Sequence, residues 1–178
     1  MQELAALPAV AREAIRAHLE GRTPCPPVEA TGALARAAPV FVTLRIDGHL
    51  RGCMGTLIAR FPDLVGETMD RALVTAFEDP RFPPLRPDEL PRCTIEVTVL
   101  GPLEEVAGEA ELDPQHFGVE VTDEFGRCGV LLPAIDGIVD AKTQVGVARR
   151  KAGIPEGAPV RLRRFTVTKV EEPAEGAR

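Results

Sequence analysis

At 178 residues, with 44% hydrophobic and 27% charged positions, the chain can build one globular domain around a real core and shows no compositional mark of disorder. A formal charge of −6, no Trp, no Tyr and 4% aromatic residues argue against nucleic acid as a partner, because such binding rests on cations that neutralise phosphates and on stacking surfaces. Met1-Gln2-Glu3-Leu4 lacks the basic region and apolar core of a secretory signal, and no apolar run reaches membrane-spanning length. The expectation is a cytoplasmic protein with no membrane association.

In chain order, Glu3 to Glu20 carries Leu4, Leu7, Ala11, Ala14, Ile15 and Leu19 at helical spacing, and Gly21 is a natural stop. His18 sits beside this stripe and reads as a packed or partly exposed histidine. Thr23 to Pro27 holds three prolines and reads as an extended connector, with Cys25 incidental. Pro39 to Ile46 then alternates and is rich in β-branched residues, and Asp47-Gly48 is the pair that a two-residue type I′ hairpin turn prefers. The returning strand is Leu50-Arg51-Gly52-Cys53-Met54-Gly55-Thr56, which sets a thiol and a guanidinium between glycines. A tight turn pairs Ile46 with His49, Leu44 with Arg51 and Val42 with Cys53, so that His49, Arg51 and Cys53 share a face. The glycines mark a bulge or a close approach, by a ligand or by a packed helix.

Phe61 to Phe77 shows Leu64, Val65, Met69, Ala72, Leu73, Ala76 and Phe77 at helical spacing, with Asp63 in the first turn. Asp79-Pro80 stops this helix, and the following proline-rich segment is too irregular for an element yet stiff enough to preorganise Arg81 and Phe82. Phe82 plugging the core, with Arg81 paired to Asp79, is the simpler alternative. Cys93 to Leu100 alternates as a strand, with Ile95, Val97 and Val99 on one face and Thr94, Glu96 and Thr98 on the other. Glu96 is a proton acceptor or a partner for Arg51 if that face lines a cleft, and is merely solvated otherwise.

Gly101 to Glu111 reads as an acidic surface loop. Gly118 to Thr122 and Arg127 to Leu132 form a second hairpin around Asp123 to Gly126, with Cys128 as a small packing residue. Asp136 to Ala152 reads as a helix with Ile138, Val139, Val145 and Ala148 inward and Arg149-Arg150-Lys151 suited to its last turn. The phase change between Val160/Leu162 and Phe165/Val167 implies a bulge at Arg163-Arg164 in a final strand, and the tail from Glu171 is expected to fray.

Helices mixed with antiparallel hairpins, without strand-helix-strand alternation, imply an α+β fold in a single domain over residues 1–178, two lobes being allowed. The four cysteines are scattered, form no Cys-x-x-Cys pair and are expected as reduced thiols. No glycine-rich phosphate loop, Ser-centred elbow or metal-ligand spacing is present, so neither cofactor nor metal is expected.

Several blocks, in order, resemble the AMMECR domain family, which includes protein A of the AmmeMemoRadiSam systems. They are Phe41-Val42-Thr43-Leu44, Leu50 to Leu57 around Arg51-Gly52-Cys53, Asp79-Pro80-Arg81-Phe82-Pro83-Pro84-Leu85, Ile95 to Leu100, Gly129-Val130-Leu131-Leu132-Pro133 and Lys151-Ala152-Gly153-Ile154-Pro155. Met54 replaces the usual isoleucine, and no aromatic stands near Ile138-Val139-Asp140. The resemblance implies a mainly antiparallel sheet with flanking helices, in two lobes with a cleft between them, around which Arg51, Cys53, Asp79, Arg81 and Glu96 gather. Two functions follow as expectations. In the first, the protein is an enzyme or enzyme component acting on a small anionic ligand. Cys53 is then the nucleophile, with Arg51 and His49 favouring its thiolate; Glu96 moves protons, and Arg51, Asp79 and Arg81 form the binding set. In the second, it is a non-catalytic module working with Memo-like and radical SAM proteins, with which family members are encoded or fused. A buried, inert Cys53 under a helix is the structural alternative to both.

Overall fold

A computed structural model describes residues 3–172 and Glu175, and the chain divides into two compact units. The first holds the chain up to Val99 together with its return from Thr168; the second is Leu100–Val167.

In the first unit, a 3-10 turn at Glu3–Ala6 leads into helix α1, Leu7–Glu20, which Gly21 closes in the left-handed conformation (φ 67°). Leu7, Ala11, Ala14 and Ile15 are buried, as their spacing predicts. Arg12, on the same helix, is also buried. It donates to the carbonyls of Leu90 (3.0 Å) and Cys93 (2.8 Å) and pairs with Glu172, a role that hydrophobic spacing does not signal. The His18 ring lies against Phe77, 4.3 Å between centroids, while the residue stays exposed, the partly exposed histidine that its place beside the stripe predicts.

Strands β1 (Val40–Ile46) and β2 (His49–Gly55) pair antiparallel around Asp47 and Gly48, whose φ of 52° and 79° give the type I′ turn. Helix α2, Leu64–Phe77, begins at Asp63, whose carboxylate accepts from Gly66 N–H (2.8 Å), so Asp63 caps the helix from outside its first turn. Strand β3, Cys93–Leu100, pairs with β1, and the sheet order is β2-β1-β3-β8, where β8 is Val167–Glu172. Val40, Val42, Leu44, Ile95, Val97 and Val99 form one face of this sheet and join α1 and α2 in the first core. Glu171 and Glu172 belong to β8 and are not part of a frayed tail; residues 173, 174 and 176–178, on which the rest of that expectation falls, lie outside the described ones.

The second unit has its own sheet, ordered β4-β7-β5-β6 from Glu104–Val106, Val160–Phe165, Gly118–Asp123 and Cys128–Leu131. Glu104–Val106 is therefore an edge strand inside the segment expected to be loop. Its charges meet those of β7, with Glu104 3.1 Å from Arg164. Helix α3 covers Ala141–Ala152 only, because Asp140 caps it by accepting from Thr143 N–H (2.7 Å). Val139, expected inward, is 80% exposed ahead of the cap, while Ile138 packs partly against the second core. A Cβ at Gly129 would stand 2.0 Å from the Ala148 carbonyl oxygen, so the hairpin strand passes directly under α3 and tolerates no side chain there. Cys128 is exposed and not a packing residue. The β5–β7 register is regular from Gly118↔Phe165 to Asp123↔Val160, so no bulge occurs at Arg163-Arg164. The phase change lies inside the unbroken strand, because β7 buries Leu162 on one face and Phe165 on the other before the chain passes to β8 of the other sheet.

Candidate functional site

The register of the first hairpin decides which side chains share a face. Ile46 faces His49 and Arg45 faces Leu50, but Leu44 faces Gly52, Thr43 faces Cys53 and Val42 faces Met54. One extra residue, Arg51, is therefore bulged out of β2, and the expected pairing of Val42 with Cys53 is replaced by Thr43 with Cys53. The bulge has a visible cause in what Arg51 reaches. Its guanidinium makes a two-pronged contact with Glu89, at 2.9 and 3.0 Å, and both side chains are largely covered.

Beyond the bulge, Gly52 turns toward the helical layer. A Cβ there would lie 2.7 Å from the Thr75 carbonyl oxygen of α2, which resolves the two explanations of this glycine in favour of a packed helix. Cys53 turns the other way, onto the face opposite the core. Across the sheet it lies in one row with Thr43 and Glu96, since Thr43 is opposite Cys53 on one side and opposite Glu96 on the other. The Thr43 hydroxyl donates to Cys53 Sγ (3.3 Å), and the Thr98 hydroxyl donates to a Glu96 carboxylate oxygen (3.2 Å). Thr43 and Thr98 are buried, whereas Cys53 and Glu96 are each partly accessible.

The backbone at Cys53 is gripped from outside the sheet. β2 is an edge strand, so its outward groups have no neighbouring strand; instead the Asp79 carboxylate accepts from Cys53 N–H (2.9 Å) and Arg81 donates to the Cys53 carbonyl (2.9 Å). Asp79 and Arg81 are joined to each other by two side-chain contacts of 2.9 and 2.7 Å. Asp79 is nearly fully buried, and the Arg81 guanidinium, helped by the N–H groups of Cys53 and Arg81, holds its carboxyl well below the usual carboxylate range against the opposing effect of burial. Phe82 lies between the two arginines, 5.9 Å from Arg51 and 5.6 Å from Arg81 (guanidinium carbon to ring centroid). The proline-rich segment thus acts as a side-chain brace for the cysteine strand; Arg81 pairs with Asp79 as the simpler alternative had it, but Phe82 is only half-buried and joins neither apolar cluster, so it does not plug the core.

Of the five residues singled out in the sequence, Cys53, Asp79 and Arg81 are in direct contact, Glu96 shares the cysteine's face two strands away, and Arg51 sits on the bulge engaged with Glu89. His49 is exposed in the turn region and pairs with Ile46 on the core-side face, so it does not share the face of Cys53 as expected from an unbulged hairpin. No group of three or more His, Cys, Asp or Glu residues disposed to hold a metal occurs among the described residues. All four cysteines are free thiols.

A sequence model of the AMMECR1 family matches residues 8–170. The chain belongs to the AMMECR1 family. A protein of Thermotoga maritima is 46% identical over 134 residues, covering 74% of this chain and 76% of that protein, and one of Thermococcus gammatolerans is 38% identical over 136 residues, covering 71% and 66%. The crystal structure of an uncharacterized protein from Pyrococcus horikoshii superposes with a TM-score of 0.81 at 30% identity, covering 93% of this chain and 89% of that one. The two antiparallel sheets with helices are therefore an AMMECR1-family fold, and the α+β expectation holds.

In this AMMECR1-family chain three neighbours of the candidate residues carry little evident sequence signal of their own. Thr43 looked like one more β-branched strand residue, and Glu89 like one more charge in an irregular loop. Glu67 is fully buried in α2 and accepts from the Thr56 hydroxyl (3.1 Å) and from the N–H groups of Arg60 (2.7 Å) and Phe61 (3.0 Å), so it pins the segment that follows the cysteine strand. The available signal was an acidic residue on the apolar side of a helical stripe, where burial demands partners.

Proposed function

We propose that this AMMECR1-family protein is an enzyme or enzyme component in which Cys53 is the nucleophile toward a small anionic molecule. The observation that carries this reading is the partly accessible thiol in one cross-strand row with Thr43 and Glu96, on a strand whose backbone is fixed by Asp79 and Arg81. Such bracing is what a reacting atom requires, because a side chain on a rigid strand needs little reorganisation to meet its target. In the proposed step Sγ bonds to an electrophilic carbonyl carbon, the π pair moves to the carbonyl oxygen, and the thiol proton passes by way of water to the Glu96 carboxylate, two strands away in the same row. Thr43 orients the sulfur through its hydroxyl. Arg51, Asp79 and Arg81 serve chiefly as positioning residues, Arg51 by holding the bulge and the other two by holding the Cys53 peptide groups.

Glu96→Gln tests the proton-accepting role with iodoacetamide on the native protein at neutral pH. If Glu96 takes the proton, labelling of Cys53 falls several-fold while that of the exposed Cys128 stays as it was. A rise instead would mean that Glu96 acts only as a repelling charge, and the assignment would be abandoned.

A second reading, a docking module for Memo-like and radical SAM proteins, draws its support from a different place. Ile58 is 78% exposed on the very segment that Glu67 pins, so an apolar side chain is displayed on an ordered loop.

A further inference from the structure

Resting on Cys53 as the reacting thiol, we infer that Arg45 is the residue that orients the anionic group of the substrate, and that the substrate carries a carboxylate or phosphate close to its electrophilic carbon. The other arginines around the thiol hold carboxylates already: Arg51 holds Glu89, Arg81 holds Asp79, and Arg92 pairs with Asp47. Arg45 differs. It is exposed, and among the described residues no carboxylate lies within ion-pair distance of it.

Its position follows from register. The β1–β3 pairing runs without interruption, Thr43 opposite Glu96 and Arg45 opposite Thr94, so Arg45 and Thr43 are two residues apart on one face. That is the face of Cys53 and Glu96. A step of two residues along a strand is about 7 Å. A guanidinium on Arg45 can take two anionic oxygens in its planar fork, one strand over and one two-residue step along from Cys53 on the same face. Leu50, the partner of Arg45 on β2, is a partly exposed apolar side chain beside it. The row of Leu50, Arg45 and Thr94 next to the row of Cys53, Thr43 and Glu96 is thus suited to a short molecule, with its anionic end on the first row and its reactive carbon on the second.

The bulge at Arg51 is what creates this division. Without it Arg51 would stand opposite Leu44 and turn to the core side, and Cys53 would follow it there, leaving Arg45 and the thiol on opposite faces of the sheet.

Two alkylating reagents of nearly equal size test the inference on the intact native protein, iodoacetate and iodoacetamide. Each bonds its methylene carbon to sulfur with loss of iodide and of the thiol proton to solvent, and only the first carries a carboxylate. The quantity read is the ratio of iodoacetate to iodoacetamide rates at each cysteine by peptide mass spectrometry. The ratio at Cys53 should exceed that at Cys128, Arg45→Gln should lower it threefold or more, and Arg45→Lys should recover part of it. A ratio at Cys53 that Arg45→Gln leaves unchanged overturns the assignment of Arg45 while Cys53 keeps its role. A Cys53 that reacts with neither reagent overturns the nucleophile reading itself and this inference with it.

Discussion

Asp79 is the residue on which the cysteine strand depends most. Its carboxylate is buried, accepts from the Cys53 N–H, and is paired with Arg81, which in turn holds the Cys53 carbonyl. Asp79→Ala leaves the peptide N–H of an edge strand without its acceptor and Arg81 without its anchor. Hydrogen bonds to a charged group are worth about 1.5–3 kcal/mol each, and the half-exposed Arg81 side of the pair contributes least because water screens it. The expected loss is about 2–3 kcal/mol in a denaturant titration. The pH dependence follows from the same contacts. Because the folded state lowers the Asp79 pKa, mainly through Arg81, the stabilisation is fully present above the unfolded value of about 4 and is lost as pH falls below it. Asp79→Asn should therefore be less stable at neutral pH and show a flatter stability profile between about pH 4 and pH 2. A profile as steep as that of the unsubstituted protein would show that the acid sensitivity arises elsewhere.

At the scale of elements, the loop after β2 carries its own prediction. Glu67 gathers three donors from Thr56, Arg60 and Phe61, which orders the loop that displays Ile58. If this loop docks a partner, Ile58→Asp should weaken co-purification with a Memo-like protein at least tenfold while the melting temperature of the isolated chain stays within a few degrees; undiminished co-purification would remove Ile58 from any docking surface. How far these elements were legible in the sequence varies with the physics that fixes them. The hairpin, α1, α2 and β3 were readable because turn chemistry and hydrophobic periodicity are local signals. The register past Leu44 was not, because the bulge is selected by Arg51 reaching Glu89, a contact 38 residues apart that no pattern in either segment announces. The helix start at Asp140 was missed for a different, local reason: apolar Ile138 and Val139 continue the periodicity, and only the cap ends it. The end of β7 resembled a bulge because the strand buries Leu162 on one face and Phe165 on the other, and a period of two presumes a single buried face. Of the candidate site, residue identities were legible through the family blocks, while Thr43 and Arg45 became visible only once β1, β2 and β3 were placed in register.

At the scale of the whole molecule, two units each complete a four-stranded antiparallel sheet with its own apolar cluster, and the residues of the proposed site all belong to the first. The chain's four thiols are distributed so that each acts as a control for the others. Cys25 and Cys128 are exposed, Cys93 is buried with its thiol pushed up to about 11 by desolvation, and Cys53 is partly accessible on the braced strand. Accessibility alone would rank Cys25 and Cys128 first, Cys53 behind them and Cys93 last. A nucleophile set up by its surroundings changes that order, because reactivity then depends on more than exposure. The direct test of the central claim is the rate of iodoacetamide modification of all four cysteines in the native protein at neutral pH, followed by peptide mass spectrometry. The expected order is Cys53 first, Cys25 and Cys128 next, and Cys93 only on unfolding; a Cys53 that reacts no faster than Cys25 and Cys128 would contradict its role as nucleophile.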